Sequence, residues 1–166
     1  VKGTGFLSWQ YDDPSRDDDK WLYLPAMKKV RRISGSSARK ENFMGSDFTY
    51  DDMGGRSVDE DEHRLLKEES LDGKLCWVVE SIPLEEDAVY SRTVSWIRKD
   101  ALIPVKVEFY DRMGELLKTL EASEISRDAG FWTSGKLEMT NHKREHRTQI
   151  LIKEIEYDIA MNESLF

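Results

Sequence analysis

The chain has 166 residues, 39% of them hydrophobic and 35% charged, and its 33 acidic against 25 basic residues leave a formal charge of −8. That length suffices to bury one core, and five Trp, six Tyr and six Phe are too many large apolar side chains for a disordered acidic segment. The acidic balance argues against a protein built to neutralise nucleic-acid phosphates, no run approaches the ~18 apolar residues of a membrane-spanning helix, and the single Cys76 can neither close an intrachain disulfide nor complete a zinc set.

In chain order, Phe6 to Tyr11 and Trp21 to Leu24 read as strands joined by the acidic loop Asp12 to Asp19, with Pro25 marking the break after the second. Next comes the sharpest charge feature, the basic segment Lys28-Lys29-Val30-Arg31-Arg32, with Arg39 and Lys40 soon after. Two readings fit it. Lys28, Lys29, Arg31 and Arg32 contact an anionic headgroup, an acidic partner or a membrane surface. Alternatively, Val30 and Ile33 turn a strand face inward and leave the charges in water. Ser34 to Lys40 reads as a polar loop and Ser46 to Tyr50 as a short helical turn. Asp51 to Glu62, with two glycines and six acidic residues, reads as a solvated connection.

From His63 onward the apolar residues alternate, as strands half-buried in a sheet require. His63 to Glu69 and Lys74 to Ile82 flank Leu71-Asp72-Gly73, where Asp-Gly supplies the positive φ of a tight hairpin. Tyr90 to Ile97 leads through Lys99-Asp100 into a strand starting near Pro104, which has no N–H for a ladder and so belongs at a strand's first residue or edge. Val105, Val107 and Phe109 share a face before a turn at Met113-Gly114, and Leu116 to Ile125 is followed by a turn at Asp128-Gly130. Phe131 to Asn141, a polar tip at His142 to His146 and Arg147 to Tyr157 complete an antiparallel meander, with Asn162 to Phe166 as a second short helical candidate. Eight or nine strands with almost no helix give a mainly β protein. Runs such as Leu75-Cys76-Trp77-Val78-Val79 and Ile150-Leu151-Ile152, apolar on both faces, predict a curved antiparallel sheet with an apolar concave face.

Catalytic chemistry has little to stand on. His142 and His146 share a basic loop tip, a poor cation site, and His63 lies on a strand. Ser8, Ser34, Ser46 and Ser81 lack a G-x-S-x-G elbow, and Gly3-Thr4-Gly5 is not a phosphate loop. The reading is therefore a non-enzymatic binding protein with no metal, no cofactor and no nucleic acid.

The residues become specific in the first third. Lys2-Gly3-Thr4-Gly5-Phe6-Leu7, then Trp21-Leu22-Tyr23-Leu24-Pro25-Ala26-Met27-Lys28-Lys29-Val30-Arg31-Arg32-Ile33, then Phe43-Met44-Gly45-Ser46-Asp47-Phe48-Thr49-Tyr50-Asp51-Asp52 resemble the signature of a family of outer membrane lipoprotein-sorting proteins. Trp96-Ile97, Leu102-Ile103-Pro104-Val105-Lys106-Val107 and Asn162-Glu163-Ser164-Leu165-Phe166 are similar to it too. The resemblance implies an unclosed β-barrel of the LolA/LolB type, here the C-terminal two thirds of one domain spanning residues 1–166. Family members carry an export signal, a helix and several strands before the segment matching Lys2-Gly3, so the missing elements would leave an edge and part of an apolar face uncovered.

Two functions follow from the resemblance. The first is a periplasmic carrier holding lipoprotein acyl chains or lipid in an apolar cavity, lined by candidates Phe6, Trp9, Trp21, Tyr23, Trp77, Val79, Trp96, Val107, Phe109 and Met139. It would exchange cargo with an inner-membrane transporter or another envelope protein. The second is an envelope interaction module, a sensor or transporter accessory, that binds protein through the loops around Ser34 to Asp52. Alternation shows which of these side chains share a face, not whether that face is a cavity or a filled core.

Overall fold

The computed structural model describes residues 2–11, 16 and 18–160, and the chain divides into two compact units. One is built from Val1–Asp59 with Asp158–Phe166, the other from Glu60–Tyr157.

The first unit holds a three-stranded antiparallel sheet of β1 (Gly5–Trp9), β2 (Asp19–Leu24) and β3 (Lys29–Ile33), in that order. Directly paired residues in an antiparallel ladder share a face. The register Phe6↔Leu22 and Lys20↔Ile33 therefore gathers Phe6, Leu22, Leu24 and Ile33 on one side. There they pack with Tyr50, Phe43 and Ala38, and the rings of Phe6, Phe43 and Tyr50 meet at centroid separations of 5.4 to 6.1 Å. Leu7, Trp9, Trp21, Tyr23 and Val30 point the other way.

The segment from Ser34 to Asp52 is more ordered than a polar loop. It contains a four-residue helix α1 (Ser36–Arg39), and its helical turn is a 3-10 turn at Phe43–Gly45, not at Ser46 to Tyr50. The segment then doubles back: Phe43 N–H donates to Phe48 O, Tyr50 N–H to Glu41 O and Asp51 N–H to Arg39 O. Thr49 and Asp52 cap each other, each side chain accepting the other's amide. Asp47, Phe48, Thr49 and Tyr50 are buried, and buried Lys20 reaches Asp51 at 3.2 Å. The start of the expected solvated connection is thus anchored, and β4 already begins at Asp61.

The second unit is a seven-stranded antiparallel meander, β4 (Asp61–Leu71), β5 (Lys74–Pro83), β6 (Arg92–Arg98), β7 (Pro104–Tyr110), β8 (Leu116–Asp128), β9 (Phe131–Asn141) and β10 (His146–Leu151), neighbours in sequence being neighbours in space. The sheet is not closed, since β4 and β10 are its two edges. Turns fall where the sequence places them. Asp72 (φ 49°) and Gly73 (φ 73°) are both left-handed, as a two-residue type I′ hairpin requires, and Ala129 and Gly130 repeat the device at φ 46° and 90°. Pro104 is the first residue of β7. Ten strands form in all among the described residues, and the last is shorter than alternation predicts: β10 stops at Leu151, Ile152 N–H still donates to Gly135 O of β9 at 2.9 Å, and the residues from there to Tyr157 are not strand. Tyr157 stacks on Phe131, ring centroids 4.6 Å apart, and its hydroxyl bonds to Thr133. The closing Asn162 to Phe166, like Asp12 to Ser15 and Asp17, lies outside the described residues.

β8 and β9 outrun their neighbours. β7 accompanies β8 only to Glu121 and β10 accompanies β9 only from Lys136, so the remainder forms a two-stranded arm. The ladder is interrupted, without a change of register, where Glu124 (φ 54°) faces Gly135, and a Cβ on Gly135 would stand 3.1 Å from Glu124 Cβ. Beyond this point Trp132 comes under the Arg98 guanidinium, 5.4 Å from the ring centroid.

Candidate functional site

The seven-stranded sheet presents two faces of opposite chemistry, and register assigns every side chain to one of them. The first face carries Cys76, Val78 and Glu80 of β5, Arg92, Val94, Trp96 and Arg98 of β6, and Lys106, Glu108 and Tyr110 of β7. Its apolar centre, Cys76, Val78, Val94 and Trp96, is buried and already packed by Leu71, Val105 and Tyr110. Around that centre the charges satisfy one another. Glu80 takes Arg64 at 2.7 Å and Arg92 at 3.3 Å, Arg92 lies over the Tyr110 ring at 3.6 Å, and the Tyr110 hydroxyl donates to Glu108, which also meets Lys106 at 2.7 Å. Burial works to raise the Glu108 carboxyl, but Lys106 and Tyr110 outweigh it and hold it below the ordinary range. Burial and Glu108 together push the Tyr110 hydroxyl up. Arg147 and Gln149 likewise lower Glu138, and a fork from Arg98 clamps Asp100 at 2.9 and 2.7 Å and holds its carboxyl far below the usual range.

The second face is mostly apolar. It carries Leu75, Trp77 and Val79 of β5, Ile97 of β6, Val107 and Phe109 of β7, Leu120 and Ala122 of β8, Leu137 and Met139 of β9, and Ile150 of β10, interrupted by the small hydroxyls of Thr93 and Ser95 on β6. Met139 and Val107 form its buried floor, whereas Trp77, Val79, Ile97, Phe109, Leu120 and Leu137 are only partly covered, and Leu75 and Leu65 are 51% and 58% exposed. At one end sits a polar island: Lys118, buried and directly opposite Asn141, donates to the Tyr90 hydroxyl at 3.1 Å, and the Tyr90 ring packs on Phe109 at 4.7 Å. At the other end Lys99 lies 5.0 Å over the Trp77 ring. A face this wide, with cations only at its ends, can hold an aliphatic chain by apolar burial.

Of the lining candidates, Trp77, Val79, Val107, Phe109 and Met139 share this face. Trp96 does not; it projects from the opposite side, where its indole N–H donates to Glu69 at 3.4 Å and Lys106 lies 4.3 Å over its ring. Phe6, Trp9, Trp21 and Tyr23 belong to the first unit, Phe6 within its filled core and the other three on the outward side of its sheet. Ile97, Leu120 and Leu137 were missed by the sequence reading, and the signal for them was the β8–β9 register, which alternation alone leaves open.

The basic segment is split by its own strand. Val30 is 49% exposed and only Ile33 turns inward, so the inward-facing reading fits one residue of the two. Arg31 pairs with Glu41 at 3.0 Å, Arg32 bonds to Asp19, and Lys28 occupies the β2–β3 turn with φ 47°. Arg32 and then Tyr11 hold the Asp19 carboxyl low.

The structure also joins two residues that spacing kept apart: His63 Nδ1 lies 2.8 Å from Ser81 Oγ. The two are directly paired across the β4–β5 ladder, near the start of the edge strand β4. The arrangement is that of a cross-strand polar contact.

A family described as "Uncharacterized protein" has a model that matches residues 1–166. Among curated proteins nothing matches. Two crystal structures resemble the chain along its whole length. One, described as an outer membrane lipoprotein-sorting protein domain from Vibrio parahaemolyticus, is 36% identical with a TM-score of 0.87, the match covering 99% of this chain and 69% of that one. The other, a DUF1329 family protein from Desulfovibrio piger, is also 36% identical with a TM-score of 0.87, covering 100% of this chain and 70% of that one. A LolA superfamily protein from Nitrosomonas europaea shares the fold at 19% identity and a TM-score of 0.60, over 88% of this chain and 67% of its own.

Proposed function

Because this chain belongs to the family of the Vibrio lipoprotein-sorting domain and the Desulfovibrio DUF1329 protein, we propose that it is a periplasmic carrier holding the acyl chains of a lipoprotein or lipid on the apolar face of its seven-stranded sheet. The observation that carries this reading is the division of that sheet: one face has its charges paired and its apolar centre packed, and the other leaves Trp77, Val79, Ile97, Phe109, Leu120 and Leu137 partly uncovered on a floor of Val107 and Met139. Each methylene buried there contributes about 0.8 kcal/mol, so a chain of ordinary length needs no polar partner to be held, and no catalytic or cofactor chemistry is called on. No helix among the described residues is long and apolar enough to cross a membrane. An envelope protein, such as an inner-membrane transporter, is the expected source or acceptor of the cargo. The Ser34 to Asp52 loops that a protein-binding module would present are used largely in the first unit's own packing, which favours the carrier.

Organic-solvent extraction of the purified protein followed by mass spectrometry is expected to release acylated lipid, and calorimetric titration of the delipidated protein with a medium-chain fatty acid is expected to show a negative heat-capacity change. Leu120→Asp places a charge in the middle of the apolar face and should abolish both. Extracts free of lipid together with binding that has no negative heat-capacity change would refute the reading.

A further inference from the structure

Among the described residues of the first unit, three lysines without an acidic partner gather at one end of its small sheet, beside exposed apolar side chains. The β2–β3 turn is tight: Met27 N–H donates to Leu24 O at 3.1 Å and Lys28 N–H to Pro25 O at 3.2 Å, with Lys28 at φ 47°. This geometry thrusts Met27 outward, 58% exposed, with Lys28 and Lys29 exposed behind it. Val30, opposite Tyr23, continues the outward face from the turn, and Trp21 follows along β2. Gly3 stands against the Pro25 ring, which brings exposed Lys2 to the same end. Among the described residues Lys2, Lys28 and Lys29 have no acidic partner, whereas Arg31 and Arg32 do.

At the opposite end of the sheet, about 20 Å along β2 from the turn, Trp9 pairs with Asp19, whose carboxylate is already met by Arg32. In a chain of charge −8 the element's exposed lysines without an acidic partner thus stand together at its methionine-tipped end.

We propose that the β2–β3 hairpin end docks on an anionic phospholipid surface, with Lys2, Lys28 and Lys29 against the headgroups and Met27, Val30 and Tyr23 at the headgroup–acyl boundary. Charge complementarity selects the occupant: an anionic bilayer attracts the three lysines at this end, so the field that binds the element also orients it. Exposed Met and Val with a Tyr behind them suit the interface, where apolar area is buried shallowly and the phenol stays wet. The proposal stands apart from the acyl-chain reading, and the experiment separates the two.

Co-sedimentation of the whole chain with phosphatidylcholine vesicles, with and without a third of phosphatidylglycerol, is expected to show binding only to the anionic vesicles and its loss in high salt. Lys28→Ala with Lys29→Ala should weaken that binding about thirtyfold, the factor expected for two lysines at an anionic surface. Met27→Ser should weaken it further while circular dichroism reports an unchanged fold. No binding to anionic vesicles, equal binding to both kinds, or an unchanged affinity in the double lysine variant would overturn the proposal. Binding to polyglutamate without binding to vesicles would overturn it in favour of an acidic protein partner. Uptake of a fluorescent acyl probe, measured on the same variants, should not change. A protein that docks on vesicles but takes up no probe would refute the carrier reading and leave this one standing.

Discussion

The two units solve the same problem, covering an antiparallel sheet, in different ways. The first fills its inner face from its own chain: Leu22 and Ile33 are closed over by Tyr50 and Phe43, delivered by a segment whose backbone doubles back on itself. The second covers one face with a centre of Cys76, Val78, Val94 and Trp96 ringed by paired charges, and leaves the other face apolar and partly open. Phe43 to Asp52, one of the segments that resemble the family signature, therefore serves the fold of the first unit. The surface suited to a ligand lies in the second, on strands that look ordinary in sequence. A family signature can mark where a fold is locked and not where it works.

Breaking the first unit should have the largest effect on stability. Leu22 is 2% exposed at the centre of its packing, so Leu22→Ala is expected to cost about 3 kcal/mol, read as a lowered urea midpoint. The second unit is more local in its vulnerabilities. Gly73→Ala places a Cβ at φ 73° in the β4–β5 turn and should cost about 1 kcal/mol.

Acid sharpens the same contrast by a smaller amount. Carboxyls held low in the second unit are Asp100 by Arg98, Asp111 by Lys143, Glu69 by Lys67, Glu138 by Arg147, and Glu108 despite its burial; Asp19 is their counterpart in the first. A carboxyl whose folded pKa lies below its unfolded value stabilises the fold above that unfolded value, near 4, and loses the contribution as pH falls through the folded pKa. Hydrogen exchange at pH 7 and pH 3 should therefore show protection falling more in the second unit than in the first. Equal losses would mean that these surface pairs are screened to nothing. Smallest of all, Arg31→Ala removes an exposed ion pair with Glu41 and should shift stability by no more than about 0.5 kcal/mol.

Much of this architecture was legible in the sequence because strand alternation and turn chemistry are local. Phe131 to Asn141 forms one strand with the predicted ends, and Asp72-Gly73, Lys99-Asp100, Met113-Gly114, Asp128-Gly130 and His142-Glu145 all bracket turns. The failures are those that depend on distant partners. Arg147 to Tyr157 alternates well enough for a longer strand, but β10 ends at Leu151 and Tyr157 goes to Phe131 instead. Ser34 to Lys40 looks like a polar loop because α1 is too short to show a period. Arg31 and Arg32, which looked like free cations, are neutralised by Glu41 and Asp19, residues that no local pattern connects to them. Trp96 and Trp77 both sit in apolar strands, and only the β5–β6 register, Val78↔Trp96 and Trp77↔Ile97, places them on opposite faces.

That last pair supplies the most direct measurement. Two variants are made, each keeping one tryptophan of the sheet, Trp77 or Trp96, with the other four tryptophans replaced by phenylalanine, and each is titrated with a fatty acid brominated along its chain, which quenches indole fluorescence only on contact. If the apolar face holds the acyl chain, Trp77 emission is quenched to saturation while Trp96, turned to the charged face and bonded to Glu69, stays bright. Quenching of Trp96 with Trp77 unaffected, or of neither, would contradict the account.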